Sequence, residues 1–286
     1  MNLSEIRVNI DRVDKEIREL FLERMGLSEQ VVTVKAQNAD KIFKPDRERE
    51  IIKNNSEGLP EEYVREYQAM IKRIMEVSRK YQYGRMLALA DCFPFEFVTE
   101  PIEHKNLILQ KKEEDLKIYY PNQEIGLAEC LEEAVEAVVK DKVDAGITIM
   151  EGESCQVNEE LHEMLAKYPI YVNDCVTTNE QPSRKCITFS KHLLVLPEHN
   201  RFKIAFTLPN RGGTIAGILS MISDYHVNIS ELHTAPIRKD NEKDYRFFLE
   251  LEANMNTELM RSLIFQLSEE TQMFQILGSY RYEGDF

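Results

Sequence analysis

Residues 23–35 read "ERMGLSEQVVTVK", and their register decides how the first third of the chain folds. They continue a pattern in which Ile6, Ile10, Val13, Ile17, Leu20, Leu27, Val31 and Val34 mark steps of three and four. That spacing predicts a helix over about residues 3–38, longer than most globular helices and suited to a bundle or coiled coil. The step after Leu20 lands on Arg24 instead of a hydrophobe. Lys35, eleven residues on, returns to within about 20° of it. A stripe meant for burial therefore carries two cations, which is costly unless negative charge answers them.

Working outward, the 286 residues are 43% hydrophobic and 30% charged, with a net charge of −14. This is the composition of a globular chain of two or three domains. The acidic balance argues against nucleic acid and anionic membranes as partners, because both need a basic footprint. It leaves room for a small anion held by a local cluster of cations. Five cysteines, Cys92, Cys130, Cys155, Cys175 and Cys186, are odd in number and widely spaced, the pattern of reduced thiols. The six histidines form no close pair suited to a metal. The N-terminal stretch is charged and carries no leader-like apolar run, and no segment reaches the ~18 apolar residues of a membrane span. These features predict a cytoplasmic protein.

Three regions follow from texture. Residues 1–92 read as three helices, the second starting near Pro45 and Asp46, the third after "SEGLP". The third helix has the stripe Val64, Tyr67, Ile71 and Ile74, then turns polar at Ser78 and Gln82. Residues 93–200 alternate β-like runs ("LKIYYP", "AGITIM", "YPIYVND", "KCITFSKHLLVL") with helical ones ("LAECLEEAVEAVVK", "VNEELHEMLAKY"), an α/β layer. Residues 201–286 repeat the alternation as βαββαβ, the ferredoxin-like order of an α+β domain.

The helical region thus places Arg24, Lys35, Ser78, Gln82 and the adjacent Arg47-Glu48 at or near buried faces. One reading is a structural ion pair, Arg24 with Glu48, inside a helix bundle. The other is a bundle cavity lined by cations and one carboxylate, which binds a compact anion. No nucleophile–base pair, metal cluster or phosphate loop accompanies these residues. The chemistry is therefore of a kind done by positioning and electrostatics.

In these spaced positions the stretch "IRVNIDRVDKEIRELFLERMGLSEQVVTVK…KPDREREII…IMEVSRKYQ" closely resembles the all-helical class of chorismate mutase over about the first 85 residues. The resemblance maps the family's functional set onto Arg7, Arg24, Lys35, Arg47, Glu48, Ser78 and Gln82. Lys44 stands where many members have Asp. The resemblance implies rearrangement of chorismate to prephenate without a cofactor, in a homodimer whose long first helix lends Arg7 across the interface. It implies that Arg7, Arg24 and Arg47 with Ser78 clamp two carboxylates, and that Glu48 accepts from the ring hydroxyl. Lys35 and Gln82 would donate to the ether oxygen as charge grows there. An amide donates at any pH, so this role for Gln82 implies activity nearly flat between about pH 6 and 8.

The run "YYPNQEIGLAECLEEAVEAVVKDKVDAGITIMEGES" is similar to part of prephenate dehydratase, which is often fused behind this mutase. The dehydratase's catalytic "T-R-F" aligns with Ile187-Thr188-Phe189, and one lobe of the usual two is missing. A truncated, non-catalytic linker is expected. The C-terminal region resembles an ACT domain of the dehydratase type: Gly213-Thr214-Ile215 stands at the turn into its first helix, and Asn228 matches the family's asparagine. His233-Thr234-Ala235-Pro236 replaces the phenylalanine-binding "E-S-R-P". The resemblance implies an aromatic amino acid or pathway product held at Gly213, Thr214, Ile215, Asn228 and His233, or an ACT fold used only for dimerisation. The expectation for the whole chain is a chorismate mutase regulated through the ACT domain. The alternatives are a bifunctional mutase–dehydratase and a non-catalytic amino-acid-sensing regulator.

Overall fold

The computed structural model describes residues 2–151, 158–178, 183–239 and 242–283. Cys155 and the end of the "MEGES" run lie outside the described residues. The chain divides into two compact units, Met1–Phe93 and Pro94–Phe286.

The first unit is all helix: α1 (Leu3–Asn38), α2 (Pro45–Ser56) and α3 (Glu61–Leu89). Asn2 starts α1 with a capping box: its side chain accepts from the Glu5 amide at 2.9 Å, and its own amide donates to the Glu5 carboxylate at 3.0 Å. Pro45 sits in the first turn of α2, where its missing N–H costs nothing. The apolar stripe of α1, read from sequence as a buried face, is exposed in the single chain. Ile6, Ile10, Val13, Ile17, Leu20, Leu27, Val31 and Val34 stand 38–65% exposed, and the fully buried residues of α1 are Ser28 and Val32. The face that meets α3 runs through Arg24, Ser28 and Val32, leaving the stripe after Arg24 and running alongside it.

The second unit is built on one mixed nine-stranded sheet, in the order β2-β1-β3-β5-β4-β9-β6-β8-β7. Its first part holds β1 (Asn106–Gln110), β2 (Glu124–Ala128), α4 (Leu131–Val139), β3 (Ala145–Glu151), α5 (Glu159–Lys167), β4 (Tyr171–Thr177) and β5 (Lys185–Ser190). Its second part is β6 (Arg201–Leu208), α6 (Thr214–Asp224), β7 (Ile229–Lys239), β8 (Glu242–Leu251), α7 (Glu258–Glu270) and β9 (Gln272–Tyr280), the βαββαβ order read from sequence. β1 pairs in parallel with β2 and β3, and β5 runs antiparallel to β3 and β4. Alternation sets the two faces. Ile108 joins Leu131, Val135 and Leu161 on the α4/α5 side, while Leu107 and Leu109 join Leu116 and Tyr120 on the other.

Three sequence expectations need correction here. "LKIYYP" is no strand: Lys111–Tyr119 is 3₁₀ helix. Its buried positions Glu113, Leu116 and Tyr120 step by three and four, and Ile118, which alternation would bury with them, is 70% exposed. The strand of this segment is "NLILQ" just before it. "LAECLEEAVEAVVK" starts as strand β2 and becomes helix only at Leu131, and "KCITFSKHLLVL" is strand only to Ser190.

The two parts of the sheet join where β4 meets β9, with Val172 opposite Gly278. Gly278 has φ +154°, and a Cβ there would lie 2.2 Å from the Val172 carbonyl oxygen. Beside this seam a buried ionic cluster crosses the second part. Lys203, 2% exposed, bonds Glu231 and lies 3.2 Å from Glu250. Burial alone would raise the Glu250 carboxyl, but Lys203, Tyr280 and Ser230 outweigh it and hold its pKa down. His162 of α5 faces the same cluster, and burial followed by the charge of Lys203 drives its pKa down to about 3. Gly278→Ala should therefore destabilise the second unit by about 2–4 kcal/mol in urea unfolding. Gly217→Ala, on open α6 surface, should be neutral or stabilising by up to ~1 kcal/mol. Equal effects of the two would contradict the close-approach role of Gly278.

Candidate active site

Three helices of the first unit converge on a cavity of about 380 Å³. From α1 come Arg24, Ser28 and Lys35, at steps of four and seven that keep them on one face. α2 supplies Arg47 and Glu48 from its first turn. α3 supplies Ser78, Arg79 and Gln82, with Met75 a turn below. Six of the seven residues expected in the active site thus line one cavity. Arg7 does not: it is exposed on the N-terminal half of α1.

The polar contacts follow a clear order. Arg24 Nη1 donates to Ser78 Oγ at 2.7 Å, and Ser78 and Ser28 share a hydrogen bond of 2.7 Å. Ser28 in turn donates to the Arg24 carbonyl at 3.0 Å, closing a loop that fixes the arginine's root. Lys35 Nζ donates to the Ile42 carbonyl at 2.8 Å. Gln82 is buried, and its Oε1 has no donor among the described residues.

Glu48 is engaged by a residue that sequence reasoning passed over. Arg79 Nη1 lies 2.5 and 2.7 Å from the two Glu48 oxygens, and its guanidinium stands 4.8 Å over the Phe43 ring. The ion pair weighed from sequence, Arg24 with Glu48, is replaced by Arg79 with Glu48. The signal was present: Arg79 lies four residues after Met75 and three before Gln82, on the same helical face. Arg47 pairs with Glu50 at 2.7 Å, and Lys44 pairs with Asp40, both at exposed positions.

Once these pairs are drawn, two cations are left facing neutral oxygens. Arg24 and Lys35 make no ion pair among the described residues. Burial lowers the pKa of Arg24, with Glu48 opposing. For Lys35, burial and then the charge of Lys44 lower it, against Asp40 and Glu48. Both are held in their less comfortable charged state, so an anion entering the cavity is favoured by relief of that desolvation as well as by direct bonds.

In the second unit the residues expected to hold an effector stand on separate elements. Gly213, at φ +84°, caps α6, which has no side-chain cap of its own, and Thr214 donates to the Arg211 carbonyl at 2.8 Å. Ile215 follows in the first turn, and Asn228 is exposed between α6 and β7. His233 lies opposite Phe248 in the β7–β8 ladder and packs toward α5, its ring 5.6 Å from that of His162. Elsewhere, Gln110 at the end of β1 donates to Thr148 in the middle of β3 at 3.4 Å, beside Glu113, whose carboxyl pKa burial pushes up.

With this geometry in place, the comparisons with known proteins fall into two groups. Residues 6–83 match the profile of the family described as chorismate mutase type II. The chain is 22% identical, over 360 aligned positions and 97% of each sequence, to the bifunctional chorismate mutase/prephenate dehydratase of Aquifex aeolicus (strain VF5). A chain of 286 residues leaves at least 74 of those 360 positions without a counterpart. Among solved structures, the fold is similar to that of GqqA, a quorum-quenching acylase (14% identity, 62% of this chain and 95% of that one, TM-score 0.55). It is also similar to prephenate dehydratases from Streptococcus mutans (18%, 63% and 100%, TM-score 0.54) and Arthrobacter aurescens, the latter in complex with L-Phe (11%, 62% and 90%, TM-score 0.52). The chain is thus similar to a fused mutase–dehydratase: a type II chorismate mutase sequence precedes a large mixed-sheet unit with the dehydratase fold.

The Arg79–Glu48 pair should be energetically coupled. Arg79→Met alone should destabilise the first unit by roughly 2–3 kcal/mol, while the double variant with Glu48→Gln should recover part of the loss. Additive losses in that double-mutant cycle would mean the two do not form a pair in solution.

Proposed function

We propose that the chain is a homodimeric chorismate mutase of aromatic amino acid biosynthesis, converting chorismate to prephenate. The observation that carries this reading is the pair of half-buried cations, Arg24 and Lys35, that face only neutral oxygens in a cavity sized for a small molecule. Chorismate bears two carboxylates and must be held folded for its Claisen rearrangement. Arg24, steadied by Ser28 and Ser78, would take one carboxylate. Arg47 would take part in the clamp by leaving Glu50, an exposed pair worth no more than about 1 kcal/mol. As the C–O bond breaks, Lys35 and Gln82 would donate to the ether oxygen, the point where negative charge grows. Glu48, held by Arg79, would accept from the ring hydroxyl through its remaining lone pairs.

Arg7 enters this scheme only through a second protomer. The eight exposed hydrophobes of the α1 stripe support that step, since fully burying each would contribute on the order of 1.5–3 kcal/mol. Residues 1–92 would be the mutase domain, 93–200 a dehydratase-like scaffold without its own catalysis, and 201–286 an ACT domain sensing an aromatic amino acid or pathway product. A second reading, a bifunctional mutase–dehydratase, is favoured by the Aquifex relative and by the buried Glu113 with Gln110 and Thr148. Incubation with chorismate separates the two: prephenate as sole product supports the first, and phenylpyruvate supports the second.

Arg24→Ala should lower kcat/KM at least ~100-fold, about 2.7 kcal/mol. Mixing that variant with Arg7→Ala should restore activity if each site draws on both chains; no recovery in a mixed dimer would remove the cross-interface role. The pH profile tests Lys35. Its pKa lies below the ordinary 10.5, so kcat/KM should stay flat from about pH 6 to 8 and fall on the alkaline side before an unperturbed lysine would. A bound dianion raises that pKa again, so kcat should hold to higher pH than kcat/KM. Lys35→Arg should move the alkaline limb out of range, and an unmoved limb would assign it to another group.

A further inference from the structure

A second cavity, of about 430 Å³, opens within the mixed-sheet unit, bounded by the segment before β1, by β4 and β5, and by His199 and Arg281. It lies apart from Gly213 and the start of α6, and its volume is that of an ordinary small-molecule site. Ile102, Leu107, Leu194 and Leu196 give it apolar walls.

Its polar groups are mismatched in one direction. The Asp174 carboxylate accepts one hydrogen bond, from the Cys175 amide at 2.9 Å, and pairs with no cation among the described residues. Gln123 Oε1 is buried without a donor, and both ring nitrogens of His104 are buried without partners. Burial holds the His104 pKa down, so at neutral pH the ring offers one acceptor and one donor. Tyr120 and Thr188 satisfy each other at 3.1 Å, and His199 bonds Ser279 at 3.1 Å. Glu198 lines the cavity with no cation partner among the described residues, Glu103 pairs with Lys105 at 3.6 Å, and Arg281 is bonded to Glu283 at 2.5 Å. Asp174 and Glu198 therefore leave the cavity's uncompensated charge negative, with the acceptors Gln123 Oε1 and a His104 ring nitrogen open beside it.

From this imbalance we infer that the cavity is a binding site for a small organic cation, a primary ammonium on an apolar skeleton. The three N–H donors of such a group match Asp174, Gln123 and His104, and the skeleton meets the leucine-lined walls. The same charge balance repels a dicarboxylate, so the site is distinct in chemistry from the cation-lined cavity of the first unit and does not depend on what that cavity does.

Calorimetry on the full chain with 2-phenylethylamine and with 3-phenylpropionate, which replaces the amine by a carboxylate on a similar skeleton, tests the inference. The amine should bind with a Kd of about 1 mM or tighter, the carboxylate at least tenfold more weakly. Asp174→Asn, nearly isosteric, should weaken the amine at least tenfold with an unchanged thermal midpoint. Gln123→Leu provides an independent reading and should weaken it as well. No binding of the amine at about 10 mM, equal binding of both probes, or indifference to both substitutions would overturn the proposal.

Discussion

A charge taken out of water must be answered by an opposite charge, and this constraint organises both units. Lys203 is answered by Glu231 and Glu250 beside the seam of the sheet. Arg79 is answered by Glu48 between α2 and α3. Arg24 and Lys35 break the rule, holding only Ser78 and a backbone carbonyl. The first two clusters are complete and structural. The third is incomplete: its two cations open onto the cavity with no anion bonded to them among the described residues.

The same bookkeeping separates residues that hold the cavity from residues that serve it. Ser28 and the Arg24 carbonyl fix where the guanidinium sits, so the arginine needs little rearrangement when an anion arrives. Arg79 neutralises Glu48, so the one carboxylate of the cavity does not cancel the field of the free cations. Lys44, although paired with Asp40, lies on the cavity wall and its charge lowers the Lys35 pKa, against the opposing effect of Asp40.

The second unit shares its fold with the prephenate dehydratases. Its sheet passes without a break from one part to the other because a single glycine allows β4 and β9 to touch. Ile187 and Phe189, which the sequence resemblance aligns with the dehydratase's "T-R-F", are buried in the α4/α5 core, whereas Thr188 between them faces Tyr120. A one-residue step along a strand exchanges faces, so the hydroxyl that survives in this run points to the opposite side of the sheet.

Much of this was legible in the chain itself. The helices of the first unit, the start of the second near Pro45, and the βαββαβ order follow from local spacing and capping, which depend on neighbours a few residues away. Spacing also placed Arg24, Lys35, Ser78 and Gln82 toward a common interior, because a helix carries residues three, four, seven and eleven apart on one side. What local spacing could not decide was which side meets which partner. The α1 stripe is exposed in the chain's own bundle, "LKIYYP" coils because Leu116 and Tyr120 must reach the same core, and Glu48 goes to Arg79 and not Arg24. Each of these outcomes is set by groups more than thirty residues apart in sequence or by a surface that one chain does not cover. Only the assembled structure brings such groups within the few ångströms over which charge, hydrogen bonding and packing act.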